Sequence, residues 1–424
     1  MRATASRAVR SLSEFPSQFW LLTAGIFVYV IGVDMCFPFE TLFLHGRLHI
    51  SMTVVGLLLG ITGLAGLPFQ LLGGAFADRF GRRGVLVLGV CGSAVLYVGL
   101  GLSHTLMLVI VVVSIEAACG WAMFLTGSNA MIADLTVEPR RAEAFGITRT
   151  AVNVSMIVGP FIALVFLGGG PGFRPLFVAG GVVCCGFLVI IFGGLRETKP
   201  ATAARLPVAA GFGHILRDRR FLSFCAVALL PLYGFGQVVS TFPVALQQTL
   251  GITAGQWARL LLAYAIGLSV LQFPVIRLTR AWNPLLLCSV ASALIGVGLG
   301  LAPLLPWGWL TVALILLVSL GVVLLIPIAS TVIAALAPLE LRGRYMGAWT
   351  IVYLGGYALG PLCGGPAMDF LGSRRAFLVV GALGLAGAVG FAALHFGRDV
   401  VGPPRRQPPE TSLESSLRPP VVGS

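Results

Sequence analysis

Three ionisable residues stand where such residues are scarce: Asp34, Glu116 and Arg149 each interrupt a run of apolar residues long enough to cross a bilayer. A charge at mid-bilayer costs about 2.5–3.5 kcal/mol on insertion scales, so residues of this kind ordinarily face a cavity and have a task there. A carboxyl in such a cavity can exchange a proton near neutral pH, which an arginine cannot. Asp34 and Glu116 are therefore candidate alternating proton carriers, with Arg149 as the charge beside one of them. Glu116 lies about ten residues inside its run, roughly 15 Å at helical rise and close to the midplane. The alternative is a structural Glu116–Arg149 pair, with Asp34 in a wet vestibule.

A second group of candidates is neutral. Tyr233, Gln237, Ser240 and Thr241 recur at helical spacing and form one polar stripe. Tyr264 and Gln272 follow in the next run, Trp349, Tyr353 and Tyr357 fall four apart further on, and Asn153 joins the set from the same run as Arg149. Aromatic rings with single hydroxyls or amides suit a mostly apolar ligand fixed by a few hydrogen bonds. Proton work in the first half of the chain and substrate contact in the second is the division these residues suggest. His45 and His49 fall in a short loop and read as solvated, and no metal-ligand spacing, nucleotide loop or supported Ser/His/Asp set is present. No cofactor or metal is expected, and any work must draw on an ion gradient or on the substrate's own gradient.

The elements that would hold these residues follow from composition. Of 424 residues, 57% are hydrophobic and 10% charged, with mean hydropathy +0.97. A soluble globular protein is nearer 25% charged, so a soluble enzyme, a disulfide scaffold and a nucleic-acid binder are set aside. The eight cysteines all fall inside apolar runs and read as small packing residues. Apolar runs at 17–40, 53–77, 84–103, 106–133, 143–168, 173–194, 221–246, 254–277, 284–304, 308–336, 344–367 and 374–396 predict an all-α membrane protein of twelve spans. The expected organisation is an N-terminal segment (1–16), a six-helix bundle (17–194), a polar linker (195–220), a second six-helix bundle (221–396) and a disordered tail (397–424).

Charge distribution orients the chain. With the termini and linker on one side, that side collects 22 positive residues and the other five. The positive-inside rule makes the first side cytoplasmic, so the net charge of +13 punctuates spans and does not call for nucleic acid. A shift of 201 residues lays Arg141 on Arg342, Gly146 on Gly347, Gly159 on Gly360 and Pro160 on Pro361. Two copies of six spans enter the membrane in the same direction, as in transporters whose halves are related by an axis along the membrane normal.

After the second span the chain reads Gly74 Ala75 Phe76 Ala77 Asp78 Arg79 Phe80 Gly81 Arg82 Arg83. This resembles the loop signature of the major facilitator superfamily, and the twelve spans with a central linker resemble that family over roughly residues 15–396. The resemblance implies two pseudo-symmetric bundles working by alternating access, with Gly74, Asp78, Arg79, Gly81, Arg82 and Arg83 as a conformational gate. In it Asp78 would meet the start of the eleventh span near Arg344 and Tyr345, where a helix amino end favours an anion. Gly356, Gly360, Pro361 and Gly364 resemble the family's antiporter glycine-proline motif, placed here in the eleventh span. In the fifth, Gly159 and Pro160 keep the register while Ser155, Ala163 and Leu164 replace glycines. These glycines would let helices approach closely and the prolines would bend them. The family often has an arginine in the slot that Glu116 fills, four residues before Gly120.

The expected function is secondary transport of a small, largely apolar molecule, by a monomer in the cell membrane with both termini cytoplasmic. The drug-exporter branch of the family implies proton-coupled efflux. A proton symporter or uniporter importing a nutrient or lipid-like metabolite, and a non-transporting membrane sensor or assembly partner, are the alternatives.

Overall fold

The computed structural model describes residues 15–198, 215–338 and 341–397, apart from the side chains of residues 71–75 and 78. The expected N-terminal segment, most of the expected linker and the expected disordered tail thus lie outside the described residues.

Long apolar runs with no acceptor but their own backbone must fold as helices in lipid, and no strand occurs among the described residues. The first span is α1 (Ser17–Asp34), a 3-10 turn (Phe37–Phe39) and α2 (Glu40–Leu48). The second and third are α3 (Met52–Phe80) and α4 (Arg82–Leu102), and the fourth is split into α5 (Leu106–Cys119) and α6 (Trp121–Leu135). Helices α7 (Arg141–Leu167) and α8 (Phe173–Gly194) complete the first half. The seventh span is α9 (Arg219–Gln237) followed by α10 (Thr241–Leu250), bent by 60° between them. The rest are α11 (Ala254–Thr279), α12 (Pro284–Leu301), α13 (Trp309–Leu336), α14 (Arg342–Leu371) and α15 (Ser373–Phe396).

The duplication read from the sequence is visible in the helix starts. Ser17 corresponds to Arg219, Met52 to Ala254, Arg82 to Pro284, Arg141 to Arg342 and Phe173 to Ser373. Spans one and seven break at matching places, so even the irregularity is repeated. The fourth span breaks at Gly120, whose ψ of −114° no helix accommodates, while its counterpart α13 is continuous. The fourth span is therefore two helices and not the single run expected.

Each half packs as its own bundle, with α4 and α1 on α8 in the first and α12 on α15 and α13 in the second. The halves meet along two seams, α3 beside α14 and α7 beside α11. Small residues set how close the helices come. A Cβ on Gly360 would lie 2.7 Å from the backbone carbon of Gly236, and one on Gly364 2.7 Å from Gln237 Oε1, so the glycine face of α14 meets α9. On the first seam, a Cβ on Gly63 would lie 2.9 Å from that of Ala358.

The seams are not uniform along their length. At the face away from the Arg82, Arg140 and Arg342 turns, here the far face, Gly255 reaches Gly168 and Gly365 reaches the Met52 carbonyl oxygen. Toward the arginine-rich face, a Cβ on Gly146, Gly343, Gly347 or Gly355 would have nothing within 4 Å among the described residues. The backbones of the two halves thus touch at the far face, while these four glycines have no close neighbour among the described residues toward the arginine-rich one.

This contrast predicts opposite outcomes for two glycine substitutions. Gly360→Val must displace backbone and is expected to cost about 1–3 kcal/mol, read as a lower melting temperature in detergent. Gly347→Ala adds a methyl in open space on a helix and should raise stability by up to about 1 kcal/mol.

Candidate functional site

The break in the first span places Asp34 at the end of α1, half-buried, with Oδ2 fully buried and without a hydrogen-bond partner among the described residues. Gly159 of α7 packs directly on it: a Cβ there would lie 2.7 Å from Asp34 Cβ. Arg149, further back on α7, is exposed and within electrostatic reach of Asp34 and of Tyr353. Asn153 Nδ2 donates to Gln272 Oε1 at 3.4 Å, a long hydrogen bond that crosses the α7–α11 seam. Opposite, the Tyr357 ring lies 5.2 Å from Phe235 between centroids, within electrostatic reach of Asp34, Tyr264 and Tyr353. The Tyr264 hydroxyl is buried and unpartnered among the described residues. Asp34, Arg149, Asn153, Tyr264, Gln272, Tyr353 and Tyr357, drawn from both halves, therefore share one region at the seam.

The polar stripe on the seventh span is not a single helix face, because the chain turns between Gln237 and Thr241. Thr241 Oγ1 donates to Gln237 Oε1 at 2.8 Å and Ser240 Oγ donates to the Gly236 carbonyl at 2.7 Å, so these groups mend the break. Gln237 Nε2 remains buried without a partner among the described residues. Tyr233 lies one turn earlier on α9 and is half-buried.

Glu116 stands apart from Arg149, inside the first half. Its Oε1 accepts from the Trp121 backbone N–H at 2.9 Å, bridging the break at Gly120, and from Ser93 Oγ at 3.3 Å. Ser93 has one proton to give, so the Tyr29 hydroxyl, 2.7 Å away, must donate to Ser93. Glu116 Oε2 is buried and unpartnered among the described residues.

A further acid, Glu40, stands at the end of the first apolar run and is not among the candidates named from the sequence. It is 3% exposed as the first residue of α2, its Oε1 lacks a partner among the described residues, and it lies within electrostatic reach of Glu116 and Tyr357. The local signal was Pro38 two residues earlier, which cannot continue the helical ladder and leaves an acid at the start of the resumed helix.

The arginine loop is held mainly within its own half. Gly81 has φ of +86°, a conformation glycine adopts freely, and it turns α3 into α4. Arg82 Nε pairs with Asp134 Oδ2 at 3.2 Å, and the backbone N–H groups of Arg82 and Arg83 donate to Glu197 at 2.8 and 3.1 Å. Arg79 lies over the Phe80 ring at 5.4 Å. The side chains of Gly74 and Asp78 are outside the described residues. At the turn expected to receive Asp78, Tyr345 is fully buried and donates to Asp218 at 2.7 Å within the second half. Asp134, Glu197 and Asp218 carried no local pattern that marked them. Among the described residues no His, Cys, Asp and Glu side chains gather as a metal site.

A sequence profile of the Major Facilitator Superfamily matches residues 22–323 and 233–422. The chain is 24% identical over 378 residues to a Na(+), Li(+), K(+)/H(+) antiporter of Planococcus maritimus, covering 82% of this chain and 88% of that protein. It is 26% identical over 355 residues to the multidrug resistance protein MdtH of Aeromonas hydrophila, covering 81% and 85%. It shares the fold of a peptide transporter POT crystallised with sulfate, at TM-score 0.74 and 13% identity, over 90% of this chain and 95% of that one.

Because Glu116 mends a helix break, its two simplest substitutions should separate. Glu116→Gln keeps an acceptor for the Trp121 N–H and should melt close to the wild type. Glu116→Ala leaves that donor unpaired in the membrane and should cost about 1–3 kcal/mol, measured by thermal melting of the purified protein.

Proposed function

The chain belongs to the Major Facilitator Superfamily, a family of multi-pass membrane transporters, and from that premise we propose that it exports a small, largely apolar molecule in exchange for protons. The observation that carries this reading is the seam itself. Asp34, whose Oδ2 has no hydrogen-bond partner among the described residues, is within electrostatic reach of Arg149 on its own half and of Tyr357 on the other, and Arg149 is within reach of Tyr353. Binding groups contributed by both halves are released or assembled as the halves move, which is the physical content of alternating access. The tyrosines, Asn153 and Gln272 offer a ligand ring faces and few hydrogen bonds, suited to a mostly apolar molecule. Multidrug relatives such as MdtH agree with that choice.

In this reading Asp34 and Glu116 carry the protons, Arg149 balances one of them, and the loop from Gly74 to Arg83 gates the arginine-rich face. That face is the cytoplasmic one, both termini lie there, and the protein works as a monomer in the cell membrane. A second reading, exchange of a monovalent metal cation for protons, is favoured by the buried unpaired oxygens of Asp34 and Glu40 and by the Planococcus relative.

Transport into inverted vesicles under an imposed pH gradient separates these possibilities, with a panel of lipophilic compounds in one arm and sodium in the other. Asp34→Asn and Glu116→Gln are each expected to cut gradient-driven uptake by at least about tenfold, an effect of about 1.4 kcal/mol, while exchange of substrate without a gradient persists. Full pH-dependent uptake by both variants would remove the carboxyls from the mechanism. Sodium movement without movement of any compound would favour the second reading.

A further inference from the structure

The far face is closed by a residue on no list of candidates above. Asp369 lies near the end of α14, and its carboxylate reaches across the seam to the start of α3. Oδ2 accepts from the Thr53 N–H and from Thr53 Oγ1, each at 2.7 Å, and Oδ1 accepts from the Met52 N–H at 3.3 Å. These are the first two N–H groups of a 29-residue helix, which have no acceptor within it. The next, Val54, donates to Ser51 at 3.4 Å. A carboxylate of the second half thus caps a helix of the first, at the end where the helix carries partial positive charge.

The surroundings show that this contact belongs to the closed part of the seam. Gly365, one turn earlier on α14, abuts the Met52 carbonyl oxygen, so the two backbones touch beside the cap. On the same pair of helices, Gly343, Gly347 and Gly355 toward the other face have no such close neighbour among the described residues. The sequence repeats the arrangement. Helix α14 ends Asp369-Phe370-Leu371-Gly372 and α3 ends Asp78-Arg79-Phe80-Gly81, with the closing glycines at φ of +79° and +86°. Since α3 and α14 are antiparallel neighbours, each ends on the face where the other begins.

We infer that Asp369 is a positioning residue for transport: its cap on α3 holds the far face shut, and that face opens only when the cap is released. The inference rests on the alternating-access reading above. It also explains why an exposed-face bond is built on a carboxylate and backbone donors: charge-assisted bonds of this kind are strong when formed, and water can satisfy both sides once they part.

The test is a distance measurement between spin labels at Arg47→Cys and Arg375→Cys, one on each half at the far face, with the eight native cysteines replaced. Asp369→Ala is expected to raise the ratio of long to short distances by roughly tenfold. Thr53→Ala keeps the backbone bonds and loses one of the three, so it should raise the ratio by about two- to threefold. The Thr53 variant also decides the matter should Asp369→Ala not fold. Two populations in the wild type that neither substitution shifts, or a lowered melting temperature with an unchanged distribution, overturn the role of Asp369 alone. A single short distance in all three proteins, under every pH gradient and compound, sinks both the cap and the alternating-access reading.

Discussion

In hydrocarbon an unpaired backbone group costs several kcal/mol, so a spanning helix breaks only where something else takes up its freed N–H and C=O groups. Among the described residues three spans break, and side chains mend each one. At the first, the Trp257 ring N–H donates to the Pro38 carbonyl at 3.1 Å from the other half of the molecule. At the second, Glu116 takes the Trp121 N–H, and at the third Ser240 satisfies the Gly236 carbonyl. Several of the polar residues singled out above border the breaks. Asp34 and Glu40 flank the first, Glu116 spans the second, and Gln237 and Thr241 flank the third. The buried carboxyls therefore stand where the backbone is irregular, while Arg149, Asn153, Tyr264, Gln272, Tyr353 and Tyr357 lie within continuous helices.

The two halves share an architecture but not its use. Spans one and seven break alike, yet the first break is bordered by carboxylates and the second by an amide and a hydroxyl. Span four breaks around Glu116 while its counterpart α13 runs unbroken from Trp309 to Leu336. A duplicated scaffold has thus been given acids on one side of the seam and tyrosines on the other. Glycines at the close approaches let both sets come near one another: Gly159 brings α7 onto Asp34, and Gly360 brings α14 onto Gly236 of α9.

The sequence was legible where structure is set by local composition. Runs of apolar residues have one solution in lipid, so the twelve spans, their starts and the duplication could be read directly. The shared helix of Tyr353 and Tyr357 was legible too, because both lie within the continuous α14. What could not be read depends on groups distant in the chain. The Asp369 cap joins residues 316 or more apart, and the Glu197 contacts join residues 114 and 115 apart. Gly120 is one of 55 glycines, and nothing local distinguishes the one where a helix stops. Glu40 closes the first apolar run, and its burial is a property of the packed protein that no local pattern marks. The seventh-span stripe assumed one helix axis, and the 60° bend divides it between two.

The placement of the three acids also ranks them by what motion of the halves would do. Within a half that moves as a rigid body, distances are kept; only contacts across the seam change. Glu116 has its partners Ser93, Tyr29 and Trp121 in its own half, so its surroundings travel with it. Asp34 has Arg149 in its own half but Tyr357 in the other, so part of the field at its carboxyl must vary as the seam opens. Glu40 stands between these cases, with Tyr97 on its own side and Tyr357 across. The Asn153–Gln272 hydrogen bond crosses the same seam. Charge on Asp34 and the geometry of the ligand region are therefore tied through one structural variable, and that tie needs no chain of intermediate residues to carry it.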